Sequence, residues 1–77
     1  MSNNIPSEVK LEAIAANLKA LHAPLAVAAT RSAEADQLTQ SGECNGAIGT
    51  VLGLDDILDD AKALYVAAIA LHRLRSI

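Results

Sequence analysis

Apolar residues recur at alternating spacings of three and four along most of this chain. In the first half the series is Leu11, Ile14, Leu18, Leu21, Leu25, Ala28, Ser32 and Ala35. In the second half it is Leu54, Ile57, Ala61, Leu64, Ala68 and Leu71, widened by Val51, Leu58 and Tyr65. Such spacing places side chains along one face of an α-helix, whereas a strand requires a period of two. The sequence therefore predicts an all-α protein built from two long helices.

The first helix is predicted to span about 6–41, because Pro6 fits a first helical turn and Gly42 is typical of a C-terminal stop. Pro24 lies inside this range. A proline there cannot donate a hydrogen bond to the carbonyl of Ala20, and it costs about 3 kcal/mol unless its neighbours compensate. The apolar series keeps its phase through Pro24, and no Gly, Asn or Asp is nearby to build a turn. We expect a kink at Pro24; a break into two helices is the alternative.

The second helix is predicted to span about 46–76, after an inter-helix turn at 42–46. A series of small and acidic residues supports the early start: Gly46, Gly49, Gly53, Asp56, Asp60, Ala63, Ala67 and Ala70. Its spacings of three and four would place the glycines on one helical face, in line with the alanines. The alternative is a helix that begins at Asp55 after a glycine-rich loop.

The composition predicts an oligomer. The chain has 77 residues, sixteen alanines and a single aromatic residue, Tyr65, and a domain this short buries only about 60% of its unfolded surface. We expect residues 1–77 to form one domain without a linker. Its antiparallel helical hairpin would assemble into a four-helix-bundle dimer or a higher homo-oligomer. Small side chains let helices approach closely, so the predicted interface is Ala16, Ala20, Leu25, Gly49, Gly53, Ala63, Ala67 and Ala70.

Charge and cysteine content narrow the function classes. The net charge of −3 and the pI near 5.1 argue against nucleic acid as a partner. The single cysteine, Cys44, excludes an internal disulfide and a cysteine-rich zinc site. No secretory signal is visible, and the longest apolar run, 63–71, is about half of what a bilayer span requires. We expect a cytoplasmic protein of bacterial or phage type that does not enter a membrane.

Four aspartates suggest a weaker hypothesis of metal chemistry. Asp55 and Asp59, like Asp56 and Asp60, lie one helical turn apart. Carboxylates at this spacing can bind Mg²⁺, as in a pyrophosphatase-like enzyme, if further carboxylates such as Glu34 and Asp36 face them. The simpler interpretation is that acidic residues in the first turns of a helix complement its dipole. The glycines before them have neither the spacing nor the lysine of a phosphate-binding loop.

A basic cluster at the opposite end suggests a second alternative. Lys10, His72, Arg73 and Arg75 fall near the end of the hairpin that holds both termini. They could bind an anion, which would make the protein an oligomer that sequesters an anionic metabolite or a nucleotide signal. Cations at the C-terminus of a helix are also common because they complement the helix dipole.

No combination of nucleophile, base and orienting residue is recognisable in the sequence. We therefore predict no catalytic residues and no cofactor. The favoured hypothesis is a non-catalytic helical interaction protein that is regulatory or inhibitory toward a partner macromolecule. Its expected partners are other copies of itself and a host or regulatory protein.

Overall fold

The computed structural model describes residues 5–75, which form three α-helices: α1 (Ser7–Gln40), α2 (Cys44–Val51) and α3 (Leu54–Arg73). No β-strand is present within these residues. Helix α1 is one arm of a hairpin, while α2 and α3 follow each other along the second arm and both pack against α1. The hairpin is long and flat, with extents of 58 × 19 × 12 Å. The predicted all-α antiparallel hairpin is thereby confirmed.

Helix α1 continues through Pro24 without a break. The alternative of two separate helices in the first arm is therefore excluded. Pro24 is half-buried and borders a groove with Asp60, Ala63 and Leu64 of the second arm. The apolar periodicity on both sides of the proline predicted this continuity, because a break would have ended the common phase.

Gly42 ends α1, as predicted. Its φ of +80° lies in the left-handed region, which glycine adopts without the steric cost of a Cβ atom. The N–H of Gly42 donates to the carbonyl of Thr39 over 3.0 Å, and the N–H of Glu43 donates to that of Leu38 over 2.8 Å. This is the Schellman arrangement, which satisfies carbonyls left over at a helix end. The turn is shorter than the predicted 42–46, since α2 begins at Cys44.

The second arm is interrupted at Leu52 and Gly53, where a continuous helix over about 46–76 was expected. Leu52 is extended, with ψ of 133°, and Gly53 has a φ of +90°. A left-handed residue cannot continue a right-handed helix, so α2 ends and α3 begins anew. Gly46 and Gly49 do lie in α2, so the expectation of helical glycines holds for these two positions. Helix α3 ends at Arg73, and position 76, the last of the predicted helix, lies outside the described residues.

The contact between the two arms uses only part of the predicted apolar series. In α3 the residues turned toward α1 are those predicted: Leu54, Ile57, Ala61, Leu64, Ala68 and Leu71. In α1 the inward residues are Lys10, Ile14, Asn17, Leu21, Pro24, Ala28, Arg31, Ala35 and Leu38. Leu11, Leu18 and Leu25 were expected in this contact but are exposed. The only buried hydrophobic side chains among the described residues are Ala47, Ala61 and Ala68.

Candidate interaction surface

Three leucines of α1 form an exposed ladder. Leu11, Leu18 and Leu25 lie seven residues apart and are 68%, 47% and 46% exposed. Residues at that interval lie along one line on a helix in a coiled-coil contact. On α3, Leu58 and Tyr65 show the same interval and are 48% and 55% exposed. We refer to these five residues as the leucine face.

Two contacts fix how the arms are aligned. The Lys10 ammonium reaches the carbonyl of Leu74, and a methyl group on Gly46 would lie 3.7 Å from Leu38. The residue numbers of the first pair, 10 and 74, have the same sum as those of the second pair, 38 and 46. Each residue of α1 therefore lies opposite the residue of the second arm whose number completes this sum, and the register is constant along the hairpin. At this register Leu18 and Tyr65 lie at about the same height.

Both ladders lie on the same broad side of the hairpin. On α1, Leu18 and Leu25 each lie four residues after an inward-facing residue, Ile14 and Leu21 respectively. On α3, Leu58 and Tyr65 likewise lie four residues after the inward-facing Leu54 and Ala61. A two-fold axis perpendicular to the broad side relates two antiparallel helices. This axis exchanges the helices but keeps each broad side in place, so equivalent positions on the two helices lie on the same broad side. The leucine face is therefore one continuous surface.

The hairpin exposes more surface than a compact protein of its size. Its accessible surface is 5678 Å², whereas a compact monomer of 8.0 kDa exposes about 4,450 Å². Its radius of gyration is 17.7 Å, compared with about 11.5 Å for a compact domain of this length. Exposed bulky side chains account for part of this excess. Large contiguous apolar patches are rare on proteins that act as monomers.

The predicted small-residue interface lies mostly on the other broad side. Of its residues, Ala16, Ala20, Gly49, Gly53, Ala63 and Ala70 are exposed, Ala67 is half-buried, and Leu25 belongs to the leucine face. A methyl group added to Gly49 or Gly53 would meet no atom within 4 Å in the hairpin. The geometry of a single hairpin thus leaves these positions open and gives no contact that requires glycine at position 49.

The acidic end of the hairpin consists of Asp55, Asp56, Asp59 and Asp60, all of them exposed. Asp55 and Asp56 lie in the first turn of α3, where they complement the helix dipole. Of the facing carboxylates considered above, Glu34 borders a groove beside Arg31 and Val27, and Asp36 accepts a hydrogen bond from Gln40 over 3.2 Å. Between residues 5 and 75, no three metal-ligating side chains come together.

The basic end holds His72, Arg73 and Arg75, which are exposed, and the half-buried Lys10. Lys10 donates to the carbonyl oxygen of Leu74 over 2.6 Å. Beside it, the Ile5 N–H donates to the carbonyl of Arg75 over 2.9 Å. The Lys10 ammonium therefore binds the chain just beyond the end of α3, whereas His72 and Arg73 remain open to solvent in the last turn of that helix.

Helix α1 also has a membrane-like composition. An 18-residue window within Ser7–Gln40 has a mean hydropathy of 1.2, and none of that window is buried in the hairpin. By length and composition alone, α1 could cross a bilayer. The core helix of a soluble assembly and a signal sequence share this property. No long uninterrupted apolar run marks this stretch in the sequence, because Lys19, His22 and Pro24 interrupt it, yet its mean hydropathy stays at 1.2.

Compared with protein-family models, curated proteins and solved structures, the chain matches none of them.

Proposed function

We propose that this chain is a non-catalytic helical interaction protein that self-associates in the cytoplasm and regulates or inhibits a partner macromolecule. The supporting observation is that three alanines are the only buried hydrophobic side chains among the described residues, while ten large hydrophobic side chains stay exposed. Burying a leucine contributes about 1.5–3 kcal/mol, so a single hairpin forgoes much of the stabilisation its sequence can supply.

The small core supports self-association independently. A domain of about 60–80 residues gains only a few kcal/mol of net stability even from a well-packed core. Here the only buried hydrophobic side chains among residues 5–75 are alanines, and each contributes little apolar area. Packing further helices against the exposed leucines increases the buried area without lengthening the chain. Regulation of a partner would then use the surface of the assembled bundle.

Native mass spectrometry of the purified protein tests this proposal. We expect a homo-oligomer with an even number of copies and no bound small molecule. A monomer at micromolar concentration would exclude self-association as the basis of function. A homo-oligomer with added mass of a few hundred daltons would favour the small-ligand alternative, and the mass would identify the ligand class.

The regulatory part of the proposal requires a second measurement. The protein, immobilised through Cys44 at the turn, should retain the same stoichiometric macromolecule from the lysate of its source cells. A monomeric variant immobilised in the same way should not retain it, because the recognised surface belongs to the assembly. Equal retention by both would show that a single hairpin is the binding unit.

A further inference from the structure

We infer that the leucine face binds the leucine face of a second copy with both turns at the same end, so that α1 of each hairpin lies on α3 of the other. The two-fold axis runs parallel to the helices, midway between the two hairpins. The result is a four-helix bundle in which each helix is antiparallel to both of its neighbours. This inference rests on the proposed self-association and specifies its face and its orientation.

The register of the hairpin determines the contacts between the copies. A two-fold axis parallel to the helices leaves each residue at its own height, so the symmetry allows no sliding. Residues that lie opposite each other within one hairpin therefore also meet across the dimer. To within one residue, Leu18 meets the partner's Tyr65 and Leu25 meets the partner's Leu58. Each contact occurs twice, as a two-fold interface requires.

Apolar side chains follow the broad side of the leucine face over the whole length of the hairpin. Near the turn, Val51 lies four residues after the buried Ala47, and Ile48 lies one residue after it. At 3.6 residues per helical turn, both offsets point a side chain toward the broad side that holds the leucine face. Ile48 is 56% exposed. The apolar surface thus extends from Leu11 at the open end to Ile48 near the turn, and copies with their turns together cover all of it.

The reversed orientation, with its two-fold axis across the helices, cannot both cover this surface and pair apolar residues. With the axis at Leu18, the overlap ends about 16 Å from the axis, where α1 begins, whereas Ile48 lies about 25 Å from it. With the axis midway along the apolar surface, Tyr65 lies over the partner's Asp55. A carboxylate against an apolar side chain loses hydration without gaining a hydrogen bond.

The orientation with the turns together separates apolar contacts from polar ones. Asp55 and Lys62 each follow an inward-facing residue of α3 directly, so they also lie on this broad side. Asp55 is at the height of the partner's Ala29, and Lys62 is at the height of the partner's His22. Neither charge meets a large apolar side chain. The layers formed by leucines and Tyr65 therefore alternate with layers of small or polar residues.

Charge at the open end favours the same orientation. Glu12 lies within one residue of the height of the partner's Arg73, and Glu8 lies near the height of the partner's Arg75. Opposite charges placed together at an interface favour one orientation over its alternatives. The two α3 helices lie diagonally across the bundle, so their aspartates do not face each other.

The area is sufficient for a specific dimer. Helix α1 spans 34 residues, which corresponds to about 50 Å. With a hairpin width of 19 Å, the contact covers about 950 Å² on each copy, and the total of about 1,900 Å² lies within the range for stable interfaces. The reversed orientation centred on Leu18 overlaps over about 33 Å only and covers about 1,200 Å² in total.

Disulfide formation between two single-cysteine variants tests the contact. Leu25→Cys and Leu58→Cys are each prepared in a Cys44→Ser background, mixed and oxidised. We expect a disulfide between the two variants, because their positions meet across the dimer and a disulfide requires Cα atoms within about 7 Å. Asp59→Cys replaces Leu58→Cys as the matched control, since Asp59 lies at the height of Leu25 but on the outer side of α3.

The outcomes separate failure of the orientation from failure of self-association. A disulfide from position 25 to position 58, with a much lower yield to position 59, supports the inference. A disulfide of the Leu25→Cys variant with itself would indicate a reversed dimer. Equal yields at 58 and 59, or no disulfide in variants that still sediment as dimers, would also overturn the inference and leave self-association intact. Sedimentation of the unmodified protein as a monomer would overturn both proposals.

A charge exchange provides an independent test. Glu8→Lys with Glu12→Lys should raise the dimer dissociation constant at least about tenfold at low salt, and so should Arg73→Glu with Arg75→Glu, because both charged contacts of each homodimer then carry like charges. A mixture of the two variants should form a heterodimer about as tightly as the unmodified protein dimerises, since both of its charged contacts again pair opposite signs. Absence of this preference for the heterodimer would contradict the orientation with the turns together.

Discussion

The ammonium of Lys10 and the carbonyl oxygen of Leu74 close the open end of the hairpin with a hydrogen bond of 2.6 Å. The two residues are 64 positions apart in the chain. Leu74 directly follows the last residue of α3 and is extended, so its carbonyl has no helical partner. A charged donor from α1 satisfies this carbonyl and fixes the alignment of the two arms.

Lys10→Met should lower the free energy of unfolding by about 1 kcal/mol, since hydrogen bonds to charged groups contribute about 1.5–3 kcal/mol and this one is only partly buried. The Ile5 amide, which donates to Arg75 beside it, should exchange its hydrogen faster. Lys19→Met is the matched control, because Lys19 is exposed and points away from the second arm. Urea unfolding at one fixed protein concentration measures the difference. Equal effects of the two substitutions would contradict a structural role for the contact.

Gly53 and Gly49 offer a second matched pair. Gly53→Ala should destabilise the protein by about 1–2 kcal/mol, because a Cβ atom is unfavourable in the left-handed conformation that Gly53 adopts. Gly49→Ala should instead stabilise it by about 0.5–1 kcal/mol, since Gly49 lies within α2 with open space around it. Thermal unfolding followed by circular dichroism measures both. Destabilisation by Gly49→Ala would show that the small-residue side packs closely against another helix.

The helical periodicity of the sequence predicted the hairpin and the continuity of α1 through Pro24, and the residue type of Gly42 predicted the stop of α1 there. It did not predict the break at Gly53. Gly46, Gly49 and Gly53 share one helical phase, and a glycine fits both a helix and a left-handed turn. Only the extended Leu52 before it distinguishes Gly53, and this conformation has no signature in the residue types.

The exposure of the leucine face was also not predicted, because the sequence pattern of α1 fits two different inward faces. Ile14 and Leu21 belong to two overlapping lines of side chains on α1. One line includes Leu11 and Leu18, while the other includes the polar residues Lys10 and Asn17, and the apolar pattern of the sequence predicted the first line. In the structure, the long Lys10 side chain packs its stem inward and carries its charge to Leu74. Asn17 donates to the carbonyl of Ala13 over 3.0 Å, which satisfies its amide locally.

The apolar composition of α1 leads to a prediction about membranes. We expect the protein to remain unbound when it is floated with neutral phosphatidylcholine vesicles. The proposed self-association would cover the leucine face, and Lys19 lies on the outer surface of α1, where insertion of its charge into a bilayer is costly. Flotation with the vesicles, accompanied by protection of α1 from added protease, would show that the exposed apolar surface contacts lipid.

Leu18 and Val66 allow the leucine face to be tested against an exposed apolar residue elsewhere. Leu18 is 47% exposed and Val66 is 50% exposed, but Val66 lies on the outer side of α3, away from both α1 and the leucine face. Leu18→Gln should raise the dimer dissociation constant at least about 100-fold, because each dimer loses two buried leucines at about 1.5–3 kcal/mol each. Val66→Gln should change it less than about threefold.

Sedimentation equilibrium over a range of protein concentrations measures both constants, and circular dichroism verifies that each variant stays helical. Because Leu18 is already exposed in the hairpin, its substitution should leave the helicity of the monomer unchanged. Equal weakening by the two variants would point to association through the outer side of α3 as well. A stable dimer of Leu18→Gln would move the contact to the opposite broad side, where small residues allow close approach of helices. The substitution at Leu18 therefore decides which side of the hairpin holds the two copies together.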